Sequence, residues 1–378
     1  MRHCIKPKIF IFDFNIVSEI LSGYSLLSQL KYHDFDKLDI VVILNRECDL
    51  TIELEKLKVK YKIITYGRQT IIEKISDYGT LPFKLLYLYY KYRPIMVHAN
   101  NAMAGRAAMI FKYLFNIPVL VQIRNNTLPP RTLSLISRAD YFATVSKATM
   151  VEALPKELHK KNKIVYDGID MQEYGFPHLE QDNGSNFFDI PINSIVIGMC
   201  SRLSEQKGID DFLYAAKIIT EKYNDVYFVH AGGIPKKGSK DNFIEQLASS
   251  SIGNFIWYGY TNNMIKFWEN VDIAVVPSSG SEAFGRVVIE AMAASTPVIA
   301  TRSGGPDEII DDNVNGILIS MKDRQSLVQN IDRLINNSKE RERLGQEGFK
   351  KVKMYFSAQS YSNTMQEYYQ EIIDCNNS

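Results

Sequence analysis

The sequence predicts an α/β protein of two doubly wound domains, each built on a parallel sheet. Three observations carry this expectation. Short β-rich apolar runs alternate with longer helical stretches along the whole chain, as βαβ units require. The alternation breaks between residues 174 and 194, where Gly175, Pro177, Gln181-Asp182-Asn183-Gly184-Ser185-Asn186 and Pro191 read as a linker. It then restarts on a similar scale, and 378 residues are enough for two full cores.

In chain order, the first half offers strands at Ile9–Phe12, Ile40–Leu44, Lys62–Thr65, Met96–His98, Val119–Ile123, Tyr141–Val145 and Lys163–Tyr166. The second half offers Ile195–Cys200, Tyr227–Ala231, Phe255–Tyr258, Ile273–Val276, Val298–Ala300 and Ile317–Ile319. The segment from Ala358 to Ile372, rich in Tyr, Gln and Glu, reads as one amphipathic helix. The expected division is a first domain over 1–188, a second over 189–355, and a helix over 356–378 that crosses back to the first. In such sheets ligands collect beyond the carboxyl ends of the strands, here in a cleft between two facing domains.

Composition excludes several function classes. With 44 basic and 43 acidic residues the net charge is +1, which gives no global drive toward nucleic acid or anionic lipid. Cys4, Cys48, Cys200 and Cys375 lack metal-ligand spacing and read as reduced thiols. The opening residues lead straight into a short strand, and no apolar run is long enough to cross a bilayer. The expectation is a cytoplasmic protein, at most peripheral to the inner membrane face.

The most informative stretch runs from Pro277 to Met292. A buried strand ends at Pro277, a loop of small residues follows, and Gly285 opens an apolar helix. Such a junction aims free backbone N–H groups and the positive helix end at whatever sits above the strand. Glu282 and Glu290 bracket it. Backbone donors suit a phosphate and carboxylates suit hydroxyls, a combination that points to a nucleotide sugar. The alternative reading is a helix-dipole partner plus a surface carboxylate. The second domain opens with a strand running into a loop with Arg202, Lys207 and Gly208. Arg202 offers a bidentate fork for phosphate and Lys207 a point charge. Alone, two loop cations are ordinary surface charges; their place at the end of the first strand of the same domain gives them weight.

These residues, with Glu282-Ala283-Phe284-Gly285, Thr296 to Thr301 and Gly304-Gly305, resemble a family 4 glycosyltransferase. Val97-His98-Ala99-Asn100, Ala143 to Lys147 and Tyr166 to Asp170 extend the likeness through the first half. The resemblance implies the GT-B fold and a retaining transfer, independent of metal and cofactor, from a nucleotide-diphosphate sugar. UDP-sugars are the first expectation and GDP-mannose the second. It implies that Arg202 and Lys207 hold the donor diphosphate, Glu282 the transferred sugar and Glu290 the ribose hydroxyls. Phe284, Gly285, Arg286 and Val287 would line sugar and phosphates, and Tyr260 the base. The acceptor would be a glycan or lipid-linked molecule, by analogy in bacterial surface polysaccharide synthesis. Rival readings are another GT-B enzyme, such as a nucleotide-sugar epimerase or a phosphorylase, and a non-catalytic nucleotide-sugar-binding partner.

The chain departs from the family's pattern in the first domain. Asp13-Phe14-Asn15-Ile16-Val17-Ser18-Glu19 stands where a Gly-Gly loop is frequent, and Arg124-Asn125-Asn126 follows a strand often ended by His. Arg124 could pair with an acidic acceptor or the leaving phosphate. His98, at a strand end, touches a ligand or is structural. The helical segment Leu81 to Arg93, with Tyr87, Tyr89, Tyr90 and Tyr92 beside Lys84, Lys91 and Arg93, packs on the sheet or lies against a membrane. Asp34-Phe35-Asp36 is expected to be a solvated turn, and His230-Ala231-Gly232-Gly233 a structural strand-to-loop turn.

Overall fold

Strands buried on both faces need unbroken apolar runs, and runs such as Ile40–Leu44 and Ile273–Val276 supply them. The structure, a computed structural model, describes residues 6–14, 23–64, 71–173, 187–233, 252–261 and 263–377. The chain divides into two units, Met1–Gly168 with Ala358–Ser378, and Ile169–Ser357.

The first unit holds strands β1 (Lys8–Asp13), β2 (Asp39–Leu44), β3 (Lys60–Ile63), β4 (Met96–Ala99), β5 (Val119–Ile123), β6 (Tyr141–Thr144) and β7 (Asn162–Ile164). The second holds β8 (Ile195–Cys200), β9 (Val226–Ala231), β10 (Phe255–Gly259), β11 (Ile273–Val276), β12 (Val298–Thr301) and β13 (Ile317–Ile319). Their orders are β3-β2-β1-β4-β5-β6-β7 and β10-β9-β8-β11-β12-β13. All the described pairings are parallel. Both sheets reverse winding direction beside their first strand, between β1 and β4 and between β8 and β11. Those switch points open a crevice at the carboxyl ends of the strands. Two Rossmann-like parallel-sheet domains are therefore present, as the alternation predicts.

The expected boundary near residue 188 moves to Gly168/Ile169, and packing explains why. The Ile169 N–H donates to the Phe356 carbonyl at 3.0 Å. Phe187 and Phe188 pack on Tyr258, 5.3 and 5.5 Å between centroids, inside the second unit. Most of the expected linker, 174–186, lies outside the described residues, as do residues 15–22 of the loop after β1.

The last helix, Ala358–Asn377, belongs to the first unit. Tyr361, Met365, Tyr368, Tyr369, Ile372 and Ile373 recur at helical spacing and join the core with Ile9, Ile11, Leu26 and Leu30. Its tyrosine hydroxyls are not left bare. Tyr368 donates to the Phe142 carbonyl at 3.0 Å, and Tyr369 accepts from Gln29 at 2.9 Å. The other face of the first sheet is covered by Leu81, Leu85 and Leu88 and by the alanine-rich helix Ala102–Phe115.

Candidate active site

The second unit gathers the predicted cluster at its switch point. Strand β8 ends at Cys200, and residues 201–208 return toward the end of β11. At Gly208 the backbone turns left-handed (φ 73°), and a Cβ there would stand 1.8 Å from the Pro277 carbonyl oxygen. Only glycine allows this approach. It brings Gln206 against the next loop, where its carbonyl accepts from Ser279 N–H at 3.0 Å. Lys207 is thereby set beside Glu282, Nζ to Oε1 at 2.5 Å. Ser278 donates its hydroxyl to the same oxygen at 2.6 Å.

A second close approach fixes Glu282 from the other side. Its N–H donates to the Ser303 carbonyl at 2.7 Å, and its carbonyl accepts from Gly305 N–H at 2.9 Å. A Cβ on Gly305 would lie 2.1 Å from the Phe284 carbonyl. Thr301 donates to the Ser278 carbonyl at 2.7 Å. The loops after β8, β11 and β12 are thus locked around one carboxylate.

The helix Arg286–Ala293 starts directly after Gly285. Its first turn presents N–H groups that have no acceptor within the helix. One turn in, Glu290 accepts from Arg286 Nε at 2.8 Å. Burial pushes the Glu290 carboxyl up, and the Arg286 guanidinium pulls it back. Neither glutamate is a solvated surface acid: their side chains are 15% and 12% exposed, and each has its own cation. Cys200 sits in the same electrostatic neighbourhood. Burial, reinforced by Glu290 and opposed by Lys207, pushes its thiol up to about 12, so it is an inert group.

The remaining predicted residues fall as follows. Arg202 is exposed just beyond β8 and makes no ion pair among the described residues. Phe284 is buried and packs on Phe356, 5.8 Å between centroids, while Arg286 and Val287 are half-buried at the helix start. Tyr260 follows the edge strand β10, two strands from β8, with its ring 75% exposed. His230, at the end of β9, is fully buried with Nε2 3.3 Å from the Ser201 hydroxyl, a structural setting.

In the first unit, His98 and Arg124 do not meet an open surface. Arg124 forms an ion pair with Asp167, both side chains 11% exposed. It also donates to the Asn100 carbonyl, the Asn100 and Gln122 side-chain oxygens and the Tyr361 hydroxyl, at 3.0–3.1 Å. Burial is the largest single influence and works against the charged guanidinium, but Asp167 and Tyr361 together outweigh it and hold Arg124 above its usual range. His98 is fully buried, with Nδ1 2.7 Å from the Tyr369 hydroxyl. Burial, with the Arg124 charge beside it, lowers its pKa to about 3. Both side chains belong to a hydrogen-bonded network that reaches Tyr361 and Tyr369 of the last helix. Asp13, at the end of β1, is likewise held, by Asn100 at 3.1 Å and Asn101 at 2.9 Å.

Sequence reasoning missed Ser278 and Asp167. A hydroxyl four residues before Glu282 was a weak signal. A buried arginine, by contrast, demands a buried acid, and Asp167 follows the last strand of its sheet. Asp34 and Asp36 form a surface turn with Lys37 and Lys6. Among the described residues no group of three or more His, Cys, Asp or Glu is placed to hold a metal ion.

Residues 181–351 match the family described as Glycosyl transferases group 1. The capsular polysaccharide biosynthesis glycosyltransferase CapM of Staphylococcus aureus is 25% identical over 322 residues, covering 80% of this chain and 83% of CapM. The uncharacterized glycosyltransferase MJ1607 of Methanocaldococcus jannaschii is 30% identical over 261 residues, 64% of this chain and 66% of that protein. Among solved structures, Anabaena HepE in complex with UDP and glucose superposes with a TM-score of 0.77 at 19% identity, covering 96% of this chain and 99% of HepE. The family match thus lies within the second unit, and the chain shares with HepE the fold of two Rossmann-like parallel-sheet domains.

Proposed function

We propose that the protein transfers a hexose or N-acetylhexosamine from a nucleotide-diphosphate sugar, a UDP-sugar before GDP-mannose, to a glycan or lipid-linked acceptor. The observation that carries this reading is the Lys207–Glu282–Ser278 cluster beside the open start of the helix Arg286–Ala293. It sets a cation, a carboxylate and backbone donors around one switch point. The second unit takes the donor and the first the acceptor. Arg202 and Lys207 bind the diphosphate, and an arriving phosphate competes with Glu282 for Lys207. Glu282 then turns to the sugar hydroxyls. Glu290, half neutralised by Arg286, accepts from the ribose. Phe284, Gly285, Arg286 and Val287 line the sugar and phosphates, and Tyr260 borders the base.

Breaking the bond between sugar and phosphate leaves an oxocarbenium-like sugar and a charged leaving group, and preorganised cations stabilise that charge. The reading is retention without metal. The acceptor oxygen attacks from the face the phosphate leaves, and its proton passes to the departing phosphate oxygen. This route is favoured because Asp13 and Asp167, at the carboxyl edge of the first sheet, are held by Asn100, Asn101 and Arg124. Neither is placed as a nucleophile. CapM supports a surface polysaccharide as the product, and the HepE complexes support UDP and glucose as the donor parts.

The test is a thermal-shift screen against nucleotides and nucleotide sugars, followed by release of nucleoside diphosphate with candidate acceptors. A UDP-sugar is expected to raise Tm and to release UDP only when acceptor is present. Release that needs no acceptor, or that needs free phosphate, would favour an epimerase or a phosphorylase. Donor binding with no turnover would favour a non-catalytic partner.

A further inference from the structure

Helix Ile71–Tyr92 is two-faced, and the structure separates the alternatives left open by its sequence. Leu81, Leu85 and Leu88 are buried against the sheet, whereas Phe83, Tyr87 and Tyr90 are 72%, 61% and 59% exposed. The exposed three recur at i, i+4 and i+7, one stripe opposite the leucines. Helix Ala102–Phe115 adjoins it: Tyr89 stacks on Phe115 at 3.8 Å, and Tyr113 of that helix is 54% exposed. Half-exposed aromatics on two adjoining helices are more than the scattered apolar residues of an ordinary surface.

Charge is equally one-sided. From Tyr78 to Ala139 the sequence contains no Asp or Glu, although the whole chain is almost neutral. The cations rim the aromatic stripe. Lys91 Nζ lies 5.3 Å from the Tyr87 ring centre, and the Arg93 guanidinium lies 4.8 Å from that of Tyr90. Both side chains are exposed. Tyrosines with basic residues at their rim match the boundary of an anionic bilayer. There the rings enter the headgroup layer and the charges stay at the phosphates. No helix among the described residues is long and apolar enough to cross a membrane.

We infer that the exposed face formed by Phe83, Tyr87, Tyr90, Lys91 and Arg93 docks the protein on an anionic lipid surface. The inference extends the proposal of a lipid-linked acceptor but uses none of the residues assigned to the donor. Its test therefore fails or succeeds separately. The full chain is sedimented with vesicles of phosphatidylglycerol and phosphatidylcholine in equal parts, and with phosphatidylcholine alone. The wild-type chain is expected to pellet with the anionic vesicles, at least about tenfold more than with the neutral ones, and to be released by salt. The triple variant Phe83→Ser, Tyr87→Ser, Tyr90→Ser and the double variant Lys91→Glu, Arg93→Glu each lose about tenfold or more in vesicle binding. Both keep the wild-type Tm and its shift with nucleotide sugar. Wild-type protein that stays in the supernatant with anionic vesicles overturns the inference, and so does undiminished binding by both variants. The former result would leave an acidic protein as the partner of this face.

Discussion

The carboxyl edges of the two sheets share a topology and differ in how their polar groups are used. Beyond β1 and β4 every charge named above is enclosed: Asp13 by two asparagines, and Arg124 by Asp167, Asn100, Gln122 and Tyr361. Beyond β8 and β11 the arrangement is half open. Lys207 keeps 29% of its side chain exposed, Arg202 is exposed, and the helix Arg286–Ala293 begins beside them. The same kind of crevice is closed by its own polar contacts in one unit and half open in the other, where we propose that the donor binds, as in a receptacle set against a fastener. The difference teaches that a switch point marks where a ligand is able to sit, while the satisfaction of its polar groups decides whether one is needed.

Breaking the fastener is the severest test of this contrast. Arg124→Ala leaves Asp167 buried without its partner, and loss of one member of a buried pair costs about 3–5 kcal/mol. Chemical unfolding is expected to show that loss, with the last helix the first segment to lose protection in hydrogen exchange. Unchanged stability would mean that the network is not holding the helix.

Opening the receptacle acts on turnover instead. Lys207→Ala is expected to lower UDP release by about 10²–10³-fold, the usual effect of removing one preorganised charge-stabilising group. Its melting temperature is expected to stay near that of the wild type, because Glu282 keeps the Ser278 hydroxyl and its backbone bonds to Ser303 and Gly305. Wild-type turnover would remove Lys207 from the site.

The smallest effect sharpens the comparison through pH. His98 titrates at about 3 in the folded protein, against about 6.5 in an unfolded chain. Between these values the unfolded state binds more protons, so the contribution is complete above about pH 6.5 and is lost as pH falls toward 3. At pH 5 the loss from this one group is about 2 kcal/mol. His98→Gln is expected to remove that share of the pH dependence, measured as urea midpoints at the two ends of the range. An unaltered pH slope would show that His98 is accessible to protons in the folded state.

Much of this was legible in the residues. Most strand runs lie where the apolar runs put them, because a strand covered on both faces leaves a continuous apolar signature; the less buried β3 and β7 begin earlier than the expected Lys62 and Lys163, at Lys60 and Asn162. Lys207, Gly208 and Glu282 were legible as parts of two loops, and the tail from Ala358 as an amphipathic helix. The partners of Arg124 and His98 were not legible, because a charged or titratable residue at a strand end looks the same in sequence whether it faces solvent or a buried partner. Asp167 is far from Arg124 along the chain, and Tyr361 farther still. No local pattern links them. The boundary was misplaced for the same reason: a polar, glycine-bearing stretch shows that a linker is present, but only the packing of Phe187, Phe188 and Ile169 shows which unit owns its flanks.

By itself the sequence determined the two parallel sheets and the chemistry collected at residues 202–208 and 277–290, because these rest on local periodicity and on residue type. Only the tertiary structure decided that Lys207 and Glu282 form one group and that Arg124 is a strut. It also decided that the tyrosines of the helix Ile71–Tyr92 face outward while its leucines face in. Partnership and exposure are properties of distance in space, and chain separation does not encode them.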